Sequence, residues 1–205
     1  MAKISLFDNE NSFWSFLTRI YNLAYAGFLW FVTSLPLITI GASTTALYSY
    51  VFAVTEQRDG YVGRTFFASF RKNFGKATCI WVGMVVIFGF LFFDGYLAST
   101  GDSIVSRILF FVVISVGIIF AILSVHIFPF LSKWDIPYKE MAKSIFLVGI
   151  GALPVSITLV IVNLLFFLLI YAFYPVALFA QGFVAALCSL FLRSSYNRLE
   201  NLNDI

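Results

Sequence analysis

The chain has 205 residues, of which 61% are hydrophobic and only 11% are charged, and its mean hydropathy is +0.95. A soluble domain needs about a quarter of its residues charged to cover its surface, whereas a surface in lipid can be apolar. The composition therefore excludes a soluble globular protein and predicts an all-α, polytopic transmembrane helix bundle. The basic residues behind the net charge of +3 lie between apolar runs, so nucleic-acid binding is not expected.

Six apolar segments are long enough to cross a bilayer, because about 20 helical residues span a hydrocarbon core of about 30 Å. They cover approximately residues 13–34, 36–55, 77–93, 108–132, 144–172 and 174–192, within a single membrane domain of residues 1–205. Only Leu35 separates the first two segments, and we take Pro36 as the start of the second, since proline is tolerated where a helix begins. The alternative is that the two segments form a re-entrant hairpin.

Residues 62–74 predict an amphipathic helix on the cytoplasmic surface of the membrane. An apolar side chain recurs at every fourth position: Val62, Phe66, Phe70 and Phe74. The opposite side is basic, with Arg64, Arg71 and Lys72, and Gly75 predicts the end of the helix. The Phe face would enter lipid or pack beneath the bundle, and the basic face would meet lipid headgroups or a partner. Asn73 falls on the Phe face, where its amide needs a hydrogen-bond partner.

The Lys and Arg residues between the spans predict the orientation of the chain, since cytoplasmic loops carry the excess of these residues. The segments assigned to the cytoplasmic side contain Lys3, Arg58, Arg64, Arg71, Lys72, Lys76, Lys133, Lys139, Lys143, Arg193 and Arg198. The outer loops contain only Arg107. Both termini are therefore expected in the cytoplasm.

Polar side chains inside the apolar spans are candidates for function, because such groups are costly in lipid. They are Arg19, Asn22, His126, Asn163 and Gln181. Arg19 is expected to reach the headgroups, with binding or pairing as the alternative. A metal-binding or proton-relay role for His126 would need partners that the sequence does not provide, so packing is preferred. The amides are expected to hydrogen-bond between helices, and the alternative is a path for a polar solute.

The second span contains a run of small residues, 41–46, which predicts close packing against a neighbouring helix. Its hydroxyl groups could instead contact a partner or ligand. The sequence contains no zincin, nucleophile-elbow or phosphate-loop motif, and Cys79 and Cys188 are interpreted as packing residues. No catalytic residue, metal or cofactor is therefore predicted, and the chain is not expected to be an enzyme.

Two stretches of the sequence resemble the YesL family of bacterial membrane proteins. The first, LPLITIGASTTALY, covers residues 35–48, and the second, FFASFRKNFGKAT, covers residues 66–78. The resemblance implies a polytopic protein of the bacterial cytoplasmic membrane, of a kind often encoded beside carbohydrate ABC importers, and it implies no catalytic residue. The motif positions are therefore candidates for contact with a partner: Pro36, Thr39, Gly41, Thr44, Thr45, Phe66, Phe70, Arg71, Asn73 and Phe74.

The function expected from this resemblance is that of a non-enzymatic accessory subunit. It would bind the transmembrane subunits of a carbohydrate ABC importer and assist assembly, stability or coupling, with membrane lipids as its other partners. The alternative is an autonomous small-solute transporter or channel, which needs polar residues that converge near mid-membrane. A membrane enzyme would need paired titratable groups at one depth, for which the sequence offers still less.

Overall fold

The computed structural model describes residues 8–56, 61–101, 103–173 and 177–203, and within these ranges the chain is helical and has no strand. Its α-helices are α1 (Asp8–Ser34), α2 (Ile40–Thr55), α3 (Val62–Thr100), α4 (Ile104–Lys133), α5 (Tyr138–Gly151), α6 (Leu153–Ala172) and α7 (Ala177–Asn203). A 3₁₀ turn, Leu37–Thr39, precedes α2. The predicted all-α class is confirmed. Lys3, Arg58 and the start of the predicted segment 174–192 lie outside the described residues.

Four helical segments of the described chain are long and apolar enough to cross a membrane: Leu37–Thr55, Val62–Thr100, Ile104–Lys133 and Leu153–Ala172. Leu178–Arg193 is also apolar but shorter. Large apolar side chains cover the outside of α3, α4 and α6, and Phe92, Phe111 and Leu168 are 79%, 69% and 64% exposed. Lipid accepts such a surface and water does not, so the architecture is that of a helical membrane protein.

Two predicted helix boundaries are wrong. Gly75 does not end the amphipathic helix, because α3 continues without a break to Thr100. Asn73 and Ala77, on either side of Gly75, are both buried, so packing holds the helix together across the glycine. The apolar segment 144–172 is not one helix, because it divides into α5 and α6 at Ala152. Pro154 in the first turn of α6 explains this division, since proline is tolerated at a helix start and disrupts a helix interior.

Glycines mark two places where helices pack closely. A Cβ built on Gly41 of α2 would lie 2.6 Å from the carbonyl oxygen of Ala77 in α3. A Cβ on Gly27 of α1 would lie 2.5 Å from the carbonyl oxygen of Phe179 in α7, and one on Gly182 would meet the carbonyl oxygen of Leu23. Backbones this close leave no room for a side chain, as in the small-residue contacts of membrane helices. These contacts hold α2 against α3 and α1 against α7.

Candidate functional site between α2, α3 and α4

The first half of α3 turns one face towards the bundle and leaves another exposed. Val62, Phe66 and Asn73 are 7%, 0% and 7% exposed, so the inward face packs against the bundle. The exposed face contains Arg64, Phe67, Arg71 and Phe74. Their spacing of three, four and three residues keeps these side chains on one side of the helix. We call this surface the Arg–Phe face.

Asn73 begins a chain of hydrogen bonds that joins three helices. Its Nδ2 donates to Ser69 Oγ over 3.2 Å, and Ser69 Oγ lies 2.7 Å from Ser49 Oγ. Ser49 Oγ donates in turn to the carbonyl oxygen of Ser132 over 3.2 Å. Because each hydroxyl has one proton, Ser69 must be the donor to Ser49. The chain therefore runs in one direction, from α3 through α2 to the C-terminal end of α4.

Ion pairs lie beside this chain of hydrogen bonds, just after the end of α4. Lys76 Nζ is 2.9 Å from Asp135 Oδ1 and donates to the carbonyl oxygen of Ile136, also over 2.9 Å. Lys72 Nζ lies 3.4 Å from Asp135 Oδ2. The hydrogen bond and the positive charge of Lys76, followed by those of Lys72, lower the pKa of Asp135. The carboxylate is therefore ionised at neutral pH and holds the end of α4 against α3.

A second ion pair lies on the other side of the hydrogen-bonded chain. Lys133 Nζ is 3.6 Å from Glu56 Oε1, and it also lies over the ring of Trp134, 4.9 Å from the ring centroid. This aromatic ring packs on Tyr196 of α7, with centroids 4.9 Å apart. The end of α4 is thus tied to α2 by charge and to α7 by aromatic packing.

Beside these groups lies a half-open polar cavity of about 210 Å³ between α2, α3 and α4. Its lining residues are Ser49, Ala68, Ser69, Lys72, Asn73, Leu131, Ser132, Lys133, Trp134 and Asp135. The described residues contain no group of three or more His, Cys, Asp or Glu side chains placed to hold a metal ion. Hydroxyls, lysines, an amide and one carboxylate can bind a small polar group here, and the lining contains no activated nucleophile.

The hydroxyl residues predicted on α2 bond within the chain. Thr45 Oγ1 donates to the carbonyl oxygen of Gly41 over 2.9 Å, and both residues are buried. Thr44 Oγ1 accepts from Trp30 Nε1 of α1 over 3.0 Å. Thr39 Oγ1, in the turn before α2, lies 2.5 Å and 2.7 Å from the carbonyl oxygens of Thr33 and Pro36. Contact with a partner stays a prediction for all ten candidates, of which Pro36, Arg71 and Phe74 are exposed.

Among the described residues, no hydrogen bond joins two of the polar residues predicted inside the spans. Arg19 is exposed on α1, and Asn22 is half-buried on the same helix. Asn163 Nδ2 donates to the carbonyl oxygen of Leu159 in its own helix, over 2.8 Å. Gln181 is buried on α7, and its Oε1 has no hydrogen-bond partner among the described residues.

His126 belongs to a buried network at the joint between α5 and α6. Its Nε2 lies 2.8 Å from Ser156 Oγ, which donates to the carbonyl oxygen of Gly149 over 2.9 Å. The serine proton is used in that bond, so His126 Nε2 carries a proton and donates it to the serine oxygen. Within the described residues, His126 Nδ1 has no partner. The network joins α4 to both sides of the helix break.

The sequence analysis missed Ser49, Ser69, Lys76, Asp135 and Ser156. One local signal was available, because Ser69 and Asn73 are four residues apart and therefore adjacent on a helix. Ser49 and Asp135 come from other helices, and no spacing in the sequence pairs them with α3. Ser156 follows Pro154, which marks the helix break that the sequence analysis placed inside one span.

The helices and their polar contacts define a helical membrane protein with a polar junction at one end of its α3–α4 hairpin. This junction consists of the hydrogen-bonded chain from Asn73 to Ser132 and the ion pairs of Asp135. Residues 23–95 match the family described as "Protein of unknown function, DUF624". The chain is also 27% identical over 146 residues to "Uncharacterized protein YesL" of Bacillus subtilis (strain 168), covering 69% of this chain and 68% of that protein. No solved structure matches the chain. These two sequence matches confirm the resemblance to the YesL family.

Proposed function

We propose that this chain is a non-enzymatic accessory membrane subunit that binds the transmembrane subunits of a carbohydrate ABC importer. It would assist the assembly, stability or coupling of that importer. The observation that supports a binding role best is the Arg–Phe face of α3, where Arg64 and Arg71 alternate with Phe67 and Phe74 on one exposed surface. The carbohydrate importer itself comes from the resemblance to the YesL family.

The chemistry of the Arg–Phe face suits protein binding. Phe67 and Phe74 are 42% and 41% exposed, so a partner could bury most of each exposed ring area. Arg64 and Arg71 offer planar, multiply donating cations that pair with carboxylates in two-pronged hydrogen bonds. Aromatic residues and arginine are enriched at the energetic centres of protein interfaces.

The polar junction behind this face keeps it rigid. The hydrogen-bonded chain from Asn73 to Ser132 and the ion pairs of Asp135 fix α3 to α2 and α4. A surface on a fixed helix loses little conformational freedom when a partner binds, which favours affinity. The polar junction therefore acts as the support of the binding face, and no catalytic step is needed to explain its groups.

The proposed orientation has both termini and the Arg–Phe face on the cytoplasmic side of the bacterial membrane. Exposed cations cluster at one end of the α3–α4 hairpin, at Arg64, Arg71 and Lys72, whereas Arg107 lies at its other end. This distribution matches the excess of basic residues on the cytoplasmic side. The six predicted spans give this orientation. The last four of them, 77–93, 108–132, 144–172 and 174–192, give the same orientation if α1 and α2 enter the membrane and return.

Copurification from native membranes tests the binding role. The tagged wild-type chain should recover the transmembrane subunits of a carbohydrate ABC importer in fixed proportion. Arg71→Glu should reduce that recovery by about tenfold, since like charge at an interface costs more than 1.4 kcal/mol. Arg107→Glu, a charge reversal of the same size at the other end of the hairpin, should leave recovery unchanged. Failure of the wild-type chain to recover an importer subunit, or equal losses with both variants, would contradict the proposal.

A further inference from the structure

We infer that α1 and α2 form a re-entrant hairpin, which enters the bilayer from the cytoplasmic side and does not reach its outer face. The tip of this hairpin, residues 35–38, would then contact the acyl chains of the cytoplasmic leaflet. The inference uses the orientation proposed above to name the two sides of the membrane. It does not depend on binding to an importer.

The first observation is that α2 runs beside the charged part of α3. Gly41 of α2 packs against Ala77 of α3, and Ser49 of α2 hydrogen-bonds Ser69 of α3. Eight residues forward along α2 therefore correspond to eight residues back along α3. The two helices are therefore antiparallel and in step. The stretch of α3 that accompanies α2 carries these cations: Arg64, Arg71, Lys72 and Lys76. Charged groups avoid the hydrocarbon core, so the helix beside them does not cross that core either.

The second observation is the length of α3 beyond the tip. Trp81 Nε1 donates to the carbonyl oxygen of Leu37 over 2.8 Å, which fixes the tip beside Trp81. Beyond the tip, the first charged residue of α3 is Asp94, which is exposed and lies about 20 Å from Trp81 at about 1.5 Å per residue. Asp94 marks the outer end of the span, and this distance is shorter than the thickness of the hydrocarbon core, about 30 Å. The tip therefore lies about 10 Å inside the core, measured from its cytoplasmic boundary.

The surface beyond the tip requires lipid. On α3 the side chains of Val86, Phe90 and Phe93 are 51%, 66% and 57% exposed, and α4 accompanies this stretch, with the Phe88 and Phe120 rings 4.9 Å apart. If α1 and α2 crossed the membrane, this apolar stretch would project into water on the outer side. Such an exposed surface is strongly unfavourable in water and ordinary in lipid.

The third observation is the chemistry of the tip. Leu35, Leu37 and Ile38 are 64%, 74% and 59% exposed, so the tip presents only apolar side chains to its surroundings. The turn also bonds its own backbone, because the Thr39 N–H donates to the carbonyl oxygen of Pro36 over 2.8 Å, and Thr39 Oγ1 lies 2.5 Å and 2.7 Å from the carbonyl oxygens of Thr33 and Pro36. Non-helical backbone in contact with lipid needs internal hydrogen bonds of this kind. Acyl chains are therefore the occupant that this surface fits.

Thiol labelling of intact cells separates a re-entrant hairpin from a pair of crossing helices. Leu37→Cys would be made in a chain carrying Cys79→Ser and Cys188→Ala, with Ser103→Cys between α3 and α4 as the matched outer position. A membrane-impermeant maleimide should label position 103 and leave position 37 unlabelled, while both positions should react after solubilisation in denaturing detergent. Labelling of position 37 to the same extent as position 103 would overturn the inference.

A nitroxide at position 37 distinguishes acyl chains from cytoplasmic water. In proteoliposomes, its collision rate should be higher with oxygen, which concentrates in lipid, than with a water-soluble nickel chelate. A nitroxide at exposed Arg64 should show the opposite ratio. A nickel-dominated signal at position 37 would place the tip in water and overturn the inference. Cys188 is buried, so it can be retained if Cys188→Ala lowers the yield. The chain that keeps Cys188 but has no cysteine at position 37 or 103 then gives the background signal to subtract.

Discussion

Asn73 contributes to the structure through its buried amide, whereas Arg64 is exposed on the same helix. Asn73 is only 7% exposed, and its Nδ2 begins the hydrogen-bonded chain that joins α3, α2 and α4. We expect Asn73→Ala to destabilise the folded protein by about 1–3 kcal/mol, because a buried hydrogen bond and its packing are lost. Arg64→Ala should change stability by less than about 0.5 kcal/mol. Thermal unfolding in one detergent measures both variants, and equal effects would contradict the structural role of Asn73.

Asp135 makes the stability of the polar junction dependent on pH. Lys76 and Lys72 lower its pKa below the ordinary value of 3.8 in the folded state. The stabilisation is therefore fully present above the ordinary pKa and is lost as the pH falls through the lowered pKa. We expect Asp135→Asn to lower the thermal stability at pH 7, with the difference from the wild type shrinking as the pH falls below about 4.

Salt provides a control for the role of Asp135. The carboxylate is 57% exposed, so added salt should weaken its attraction to the two lysines and reduce the effect of Asp135→Asn at pH 7. Thermal unfolding of the two proteins at several pH values and salt concentrations measures both effects. A difference between them that stays constant with pH would show that the ion pairs do not contribute.

Ser156 is the hydrogen-bond partner of Nε2 in the buried ring of His126, and its removal should be costly. Ser156→Ala would leave His126 Nε2 without its hydrogen-bond partner, and we expect a loss of about 1–3 kcal/mol in stability. Ser115→Ala should have little effect, because Ser115 is exposed and bonds its own helix. Combining Ser156→Ala with His126→Leu should recover part of the loss, since no unpaired ring then remains. Unfolding measurements that find the double variant less stable than Ser156→Ala would contradict this account.

Close packing between helices depends on particular glycines. Gly182 lies where α7 crosses α1, and a Cβ there would meet the carbonyl oxygen of Leu23. We expect Gly182→Ala to destabilise the protein by about 1–3 kcal/mol, because two backbones must separate. Gly89→Ala has no atom within 4 Å to meet, and it should be neutral or slightly stabilising. Detergent-solubilised yield and thermal unfolding compare the two, and a neutral Gly182→Ala would contradict the close crossing.

The sequence predicts the helices well because apolar runs and their periodicity are local properties. The sequence does not predict where a helix is interrupted when a local stop signal, such as a glycine, competes with packing between helices. Gly75 is a common stop residue, yet contacts at Asn73 and Ala77 keep α3 continuous. Pro154 is the opposite case. The sequence analysis treated residues 144–172 as one segment, but the proline marks the start of a new helix, α6.

The candidate site was predictable only in part. The four-residue spacing of aromatic residues identified the amphipathic start of α3, but it assigned Phe74 to the apolar face, whereas Phe74 is 41% exposed beside Arg71. The partners of Asn73 could not be predicted beyond its own helix. Ser49 and Ser132 reach it only because α2 and α4 pack against α3, and a single sequence contains no measure of that packing.

At the scale of the whole molecule, polar and apolar features separate along the α3–α4 hairpin. The polar cavity, the ion pairs and the Arg–Phe face lie at one end. Towards the other end, an open groove of about 710 Å³ between α3, α4 and α6 is lined almost wholly by apolar side chains such as Phe92, Val113 and Leu164. A polar solute would lose its hydration there without gaining hydrogen bonds, so this groove does not suit a polar solute.

Reconstitution tests the proposed accessory role most directly. The purified chain alone, a candidate carbohydrate ABC importer alone, and the two together would be placed in proteoliposomes, and uptake of the labelled carbohydrate would be measured. We expect the chain alone to carry no more flux than protein-free liposomes, and to increase the ATP-driven uptake by the importer or the lifetime of that activity. Saturable flux of the carbohydrate through the chain alone would contradict the account and support an autonomous transporter.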